Sequence, residues 1–178
     1  MHKNIQTIYQ ETIAFAALKH GNQKMPTGLA YVVHLSNVAM EVFMAHKKEP
    51  NFNIDLAIKL ALLHDVLEDT PLSFKELEDT FGNIVATGVL ALTKNASLDK
   101  KDQMQDSLAR IVKQGKEVAI VKLCDRITNL QKPPLKWDND KIKKYHLQAT
   151  QIAETLQGKN SYLDNRIQEK IKAYTAFV

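Results

Sequence analysis

The stretch from Asp55 to Asp69 constrains this chain more than any other, because it is apolar on almost every side yet carries one histidine and three more carboxylates. With Leu60 at zero on a wheel of about 100° per residue, Leu56, Leu63 and Leu67 fall within about 60° and make a core-facing stripe. On the same wheel His64 lies at about 40°, Glu68 at about 80°, Asp65 at about 140° and Asp69 at about 180°. Ala61, Leu62 and Val66 leave no broad polar face between them. A buried, unpaired charge costs several kcal/mol or shifts its pKa until it neutralises. A bound cation would remove the conflict. In the competing reading, Glu68 and Asp69 sit at a solvated helix end and His64 is a hydrogen-bonded core residue.

The rest of the chain favours helices. Apolar residues recur every three or four positions, strand-like alternation is absent, and prolines and glycines fall between the periodic segments. The spacing predicts helices over about 4–19, 31–49, 55–69, 74–79, a segment through Ile84 to Leu92, 103–114, 117–130, 139–157 and 161–177. The fold class expected is all-α, a compact multi-helix bundle. A length of 178 residues, 44% apolar and 25% charged, suits one globular domain over 1–178. Net charge is 24 − 20 = +4, mildly favouring an anionic partner. Lysines are interleaved with acids, so no nucleic-acid stripe is expected. Cys124 is the only cysteine, which fits a reducing compartment. With no apolar run long enough to span a bilayer and no leader-like start, the expected location is cytoplasmic and free of membrane.

Two more helices carry unusual polar residues. Asp125 and Asn129 stand four apart on the apolar segment Val118 to Leu130, and His34 sits among Tyr31, Leu35 and Val38. His34, His64, Asp65 and Asp125 together supply two imidazoles and two carboxylates, a set suited to Mn²⁺, Fe²⁺ or Zn²⁺ with positions left for water and substrate. Cys124 is alone and points about 100° from Asp125, so thiolate ligation is excluded. There is no GxxxxGK loop, no GxGxxG fingerprint and no GxSxG elbow, which removes the usual support for ATP-driven transfer, dinucleotide chemistry and serine hydrolysis.

This residue set resembles the metal-binding pattern of the HD phosphohydrolase superfamily. LLHDVLEDT at 62–70, VKLCDRITNL at 121–130 and HGNQKMPTGLAYVVH at 20–34 resemble the hydrolase domain of RelA/SpoT-type proteins, which removes the 3′-pyrophosphate of the alarmone (p)ppGpp. Trp137, Tyr145 and LQG at 156–158 are most similar to the single-domain small alarmone hydrolases related to the metazoan SpoT homologue. The resemblance implies an HD-domain bundle with a central metal site, where His34, His64, Asp65 and Asp125 hold one Mn²⁺ and Glu68 and Asp69 are the catalytic pair. It also implies substrate contacts at Lys24, Tyr31, Asn129, Lys141 and Tyr145. Met25, Ala30 and Leu35 depart from the family pattern, which commonly has a basic residue and two prolines there.

The activity implied is metal-dependent hydrolysis of ppGpp or pppGpp to GDP or GTP plus pyrophosphate. A divalent ion lowers the pKa of water from 15.7 towards about 7, while Glu68 or Asp69 takes or delivers a proton. Lys24, Lys141 or Arg126 would complement the phosphates, and Tyr145 or Tyr31 would stack on a base. Two alternatives stay open: an HD phosphatase acting on another nucleotide such as NADPH, and a nucleotide-binding regulator that does not hydrolyse its ligand.

Overall fold

The structure is a computed structural model in which residues 4–178 are described. Met1 to Lys3, part of the start read above for a leader, lie outside the described residues. The chain runs α1 (Ile5–His20), α2 (Val32–Lys48), α3 (Ile54–Leu63), α4 (Val66–Asp69), α5 (Phe74–Phe81), α6 (Asn83–Leu92), α7 (Gln103–Ile111), α8 (Lys116–Asn129), α9 (Asn139–Leu156) and α10 (Ser161–Tyr174), then a 3-10 turn, Thr175–Phe177. Among the described residues the only extended pairing is an isolated antiparallel bridge between Lys24 and Ala30. The all-α expectation holds.

Local chemistry explains where the helices start. Asn4, Asn53, Asp138 and Asn160 each accept a backbone N–H from the first turn that follows, satisfying donors that have no partner inside the helix. Ser73 and Glu76 close the capping box expected from their spacing. Gly82, at φ 86°, lets α5 pass into α6 through a single residue.

The element α3 is central, packed against α1, α2, α6 and α8. Leu60, Leu62 and Leu63 are all fully buried, which accounts for a helix apolar on nearly every side. α6 approaches it at Gly88, where an added Cβ would lie 2.7 Å from Leu60 Cδ2 and 3.2 Å from Val118 Cγ2. α10 is tied to α2 by Arg166, whose Nε and Nη2 donate to Glu41 at 2.6 and 2.5 Å.

One expected element is different. The continuous helix over 55–69 is broken: α3 ends at Leu63, and α4 is a separate turn after His64 and Asp65. The hydrogen bonds change at the same place. An uninterrupted helix would give the Ala61 carbonyl to the Asp65 N–H; here that carbonyl lies 2.8 Å from His64 Nδ1, which donates to it. Asp65 leaves helical geometry at φ −105°, ψ −2°, and its own carbonyl accepts from Glu68 and Asp69 to start α4. Two smaller differences are α7 stopping at Ile111 and α10 at Tyr174, each followed by a tighter turn.

The contact at Gly88 leaves no room for a branched side chain between α6, α3 and α8. Gly88→Val is expected to destabilise the protein by about 2–3 kcal/mol through overpacking. Melting followed by circular dichroism should show Tm lower by roughly 4–12 °C; an unchanged Tm would contradict this packing.

Candidate metal centre

Three separate elements bring the polar residues of the core together. His34 lies in the first turn of α2, His64 and Asp65 form the break between α3 and α4, and Asp125 lies near the end of α8. The entry to α2 is fixed by the preceding loop, where the Tyr31 N–H donates to the Gln23 carbonyl at 3.0 Å and the Met25 N–H to that of Leu29 at 2.9 Å. His34 and His64 are 3% and 4% exposed, too enclosed to exchange their partners for bulk water.

His34 Nε2 and His64 Nε2 face each other at 3.3 Å. Asp125 Oδ1 is 3.5 Å from the first and 3.8 Å from the second, and Asp65 Oδ2 is 3.0 Å from His64 Nε2 and 3.8 Å from His34 Nε2. Ligand atoms of His34, His64 and Asp125 all lie within 4.8 Å of one another, and the three are able to hold a metal ion. Ligands about 2.1 Å from one ion stand about 3.0 Å apart at right angles and about 3.4 Å apart in a tetrahedron, so the observed spacing fits a single cation. The donor chemistry fits too. A carbonyl only accepts, so His64 Nδ1 carries a proton toward Ala61, and the neutral ring then presents a lone pair at Nε2. Such an outer bond fixes the tautomer of a ligating histidine.

The electrostatics show how the cluster behaves without an ion. Burial pushes the His64 pKa down, but the charges of Asp65 and Asp125 outweigh it and raise it from 6.5 to about 9. Burial likewise opposes ionisation of both carboxylates. Asp65 is nevertheless held below the ordinary carboxylate range by His64, and Asp125 by its hydrogen bond to His34 and by Lys122 and His64. A proton on His64 thus does part of a cation's work. Tyr31, pushed up by burial and then by Asp65, keeps its phenolic proton and donates it to Asp65 Oδ2.

The acidic pair sits at the edge of this cluster on α4, and the two side chains are held differently. Glu68 receives Lys94 at both oxygens, Nζ to Oε1 at 2.6 Å and the backbone N–H to Oε2 at 3.0 Å. Asp69 Oδ2 accepts from Gln23 Nε2 at 2.8 Å, and Gln23 Oε1 in turn lies 2.7 Å from His20 Nδ1. His20, 6% exposed, packs its ring on Tyr31 at 4.8 Å.

The candidate substrate residues are spread more widely. Asn129 Nδ2 donates to Asp125 Oδ1 at 2.6 Å. Tyr31 is drawn into the cluster through Asp65. Lys24 is exposed on the loop before α2. Lys141 Nζ lies 4.5 Å from the Trp137 ring centre, and Tyr145 packs edge-on to Trp137 at 5.1 Å. Arg126 is turned into the protein beneath Tyr145, 4.1 Å from its ring centre and 5% exposed. Burial pushes the Tyr145 phenol up to about 12. Cys124 is fully buried, and burial raises its thiol well above the ordinary value.

Sequence reasoning missed Gln23, Lys94 and Lys122. Lys122 had a visible signal, a lysine inside an apolar helical run, and is 8% exposed with Nζ 3.6 Å from Asp125 Oδ2. Gln23 and Lys94 had none, since their partners lie on distant segments.

Comparison with known proteins identifies the family and the fold. The HD domain family signature matches residues 12–159. A Danio rerio protein named guanosine-3′,5′-bis(diphosphate) 3′-pyrophosphohydrolase MESH1 is 32% identical over 175 residues, 95% of this chain and 95% of its own. The Drosophila melanogaster protein of that name is 29% identical over 167 residues, covering 90% and 91% respectively. A solved structure of a metazoan orthologue of SpoT, described as hydrolysing ppGpp, superposes with a TM-score of 0.80 at 27% identity over 97% of both chains.

A divalent ion must compete with the His64 proton. The metal-free protein holds that stabilising proton fully below 6.5 and loses its contribution as pH rises through about 9. Titration calorimetry in two buffers of different ionisation enthalpy is therefore expected to show proton release on Mn²⁺ binding at about pH 7, with affinity rising towards about pH 9. His64→Ala should abolish binding. Uptake without proton release, or full binding by His64→Ala, would contradict the site.

Proposed function

The chain belongs to the HD domain family, and from that premise we propose that it hydrolyses guanosine 3′,5′-bis(diphosphate), removing the 3′-pyrophosphate of ppGpp or pppGpp to leave GDP or GTP. The observation that carries the reading is a buried His34, His64 and Asp125 cluster with two further carboxylates, Glu68 and Asp69, at its edge. Relatives bearing the name of that activity along most of this chain's length support it. Residues 1–178 act as one HD-type unit in this proposal.

His34, His64, Asp65 and Asp125 would hold the ion, with Mn²⁺ as the proposed identity. When bound, the ion supplies Lewis acidity, drawing charge from the phosphate and acidifying water. The side chains do the rest. His64 is fixed in its ligating tautomer by Ala61, Tyr31 donates to Asp65, and Lys122, 3.6 Å from Asp125, favours its ionised form. Glu68 and Asp69 handle the protons: one leaves the attacking water, whose oxygen bonds to the phosphorus on O3′, and one reaches O3′ as the P–O3′ bond breaks. Water is consumed, and pyrophosphate leaves. Lys24 and Lys141 complement the polyphosphate, Asn129 contacts the nucleotide, and Tyr145 and Tyr31 line its binding site.

The partner proposed is thus a small nucleotide rather than a nucleic acid, in keeping with basic residues interleaved with acids. Among the described residues, no helix is long and apolar enough to cross a membrane. A cytoplasmic setting is part of the proposal, resting on an unpaired, buried Cys124.

Purified protein with Mn²⁺ is expected to release pyrophosphate from ppGpp. Glu68→Ala and Asp69→Ala should each lower kcat by about 10²-fold or more while retaining the ion. A parallel panel including NADPH tests the breadth of the site. Metal-loaded, folded protein that releases no pyrophosphate from ppGpp would overturn the assignment.

A further inference from the structure

Lys94 stands 26 residues from Glu68 in sequence, yet it occupies both oxygens of that carboxylate. A solvent-facing lysine–carboxylate pair ordinarily contributes little to stability, and the Lys94 side chain is 47% exposed. What distinguishes this pair is its second contact. A main-chain N–H has its direction set by the backbone, so it constrains a carboxylate without the entropy loss that a flexible lysine incurs. Asp69 has no such grip; a neutral amide from Gln23 holds it instead.

The backbone at Lys94 is itself fixed. The last carbonyls of a helix lack partners within it, and at the end of α6 side chains supply them, chiefly Arg110 from α7. Arg110 Nη1 donates to the carbonyls of Leu90 and Ala91 at 2.5 and 3.1 Å, and Nη2 donates to that of Thr93 at 2.7 Å. Asp106 holds the guanidinium from the other side, accepting from Nε at 2.9 Å. Ser107 Oγ donates to the Ala91 carbonyl at 3.1 Å, and Thr93 Oγ1 donates to that of Val89 at 2.9 Å. The peptide from which Lys94 projects is thus pinned at the carbonyl just before its N–H.

From this geometry we infer that Lys94 is a positioning residue for Glu68 and that Arg110 acts through it. The Arg110 clamp sets the Lys94 peptide, and the Lys94 N–H and ammonium together aim the Glu68 carboxylate at the edge of the His34, His64 and Asp125 cluster. The inference rests on the reading of Glu68 as a proton-handling group. It deepens that reading by giving the adjacent carboxylates unequal surroundings, a cation and a fixed N–H at Glu68 against a neutral amide at Asp69.

Two measurements test it, one needing no substrate. By NMR, Glu68→Gln is expected to shift the Lys94 amide resonance and speed its hydrogen exchange, and Arg110→Lys should loosen the same amide while the fold is retained. A Lys94 amide unchanged in both variants overturns the inference. By kinetics, Lys94→Met is expected to lower kcat by about 10- to 100-fold, the range for outer-sphere partners, with KM and Mn²⁺ affinity nearly unchanged. Lys94→Arg, which returns the charge that Lys94→Met removes while both keep the main-chain N–H, should restore most of the loss. In a Glu68→Gln background Lys94→Met should add nothing, the signature of residues acting as a unit. A raised KM at unchanged kcat would make Lys94 a phosphate ligand and overturn the inference. If wild-type protein releases no pyrophosphate from ppGpp, the proposed activity fails on its own, while the NMR outcome still decides the role of Lys94.

Discussion

Two imidazole nitrogens 3.3 Å apart, with carboxylates from the α3–α4 break and from α8 3.0 to 3.8 Å from them, make up the interaction on which the molecule turns. Such a group is unfavourable in a buried setting unless positive charge sits among its members. A proton shared with His64 meets part of that need, and a divalent ion meets it more fully. The fold is arranged to make the encounter unavoidable. α3 is enclosed along its second half by α1, α2, α6 and α8, and the histidine at its end is 4% exposed. α2 and α8 pack on the same helix and deliver His34 and Asp125 to the same point.

The break after Leu63 joins this packing to the chemistry. In a straight helix, adjacent side chains diverge by about 100°, so His64 and Asp65 would not reach a common point. The break, at which the Ala61 carbonyl accepts from the imidazole, lets both residues face one centre. It also starts the short turn that carries Glu68 and Asp69. The hydrogen bond that fixes the His64 tautomer thus lies where the helix is interrupted.

Much of this was legible in the sequence because it is written in local patterns. The capping box at Ser73, the stop at Glu49 before Pro50 and the apolar run around Leu60 each depend on residues a few positions apart. The clash between that run and its charges pointed to a cation before any fold was known, and resemblance of short motifs supplied which distant residues answer it. The break itself was hidden, since a wheel presumes a continuous helix. Long-range partners were equally hidden. Nothing near Lys94 indicates Glu68, and nothing near Gln23 indicates Asp69. Asn129 shows a subtler limit: its spacing from Asp125 placed both on one face, but only the structure has its amide donating to that carboxylate.

The surroundings of the cluster divide the labour between rigid and adaptable parts. His34, His64, Asp65 and Asp125 are held by packing and outer hydrogen bonds, whereas Lys24 and Lys141 are exposed. The most direct measurement of the central claim is anomalous diffraction at the manganese edge from crystals grown with Mn²⁺. The account predicts one strong peak enclosed by the imidazoles of positions 34 and 64 and the carboxylates of positions 65 and 125. A strong peak elsewhere, or none among these side chains at saturating Mn²⁺, would contradict it.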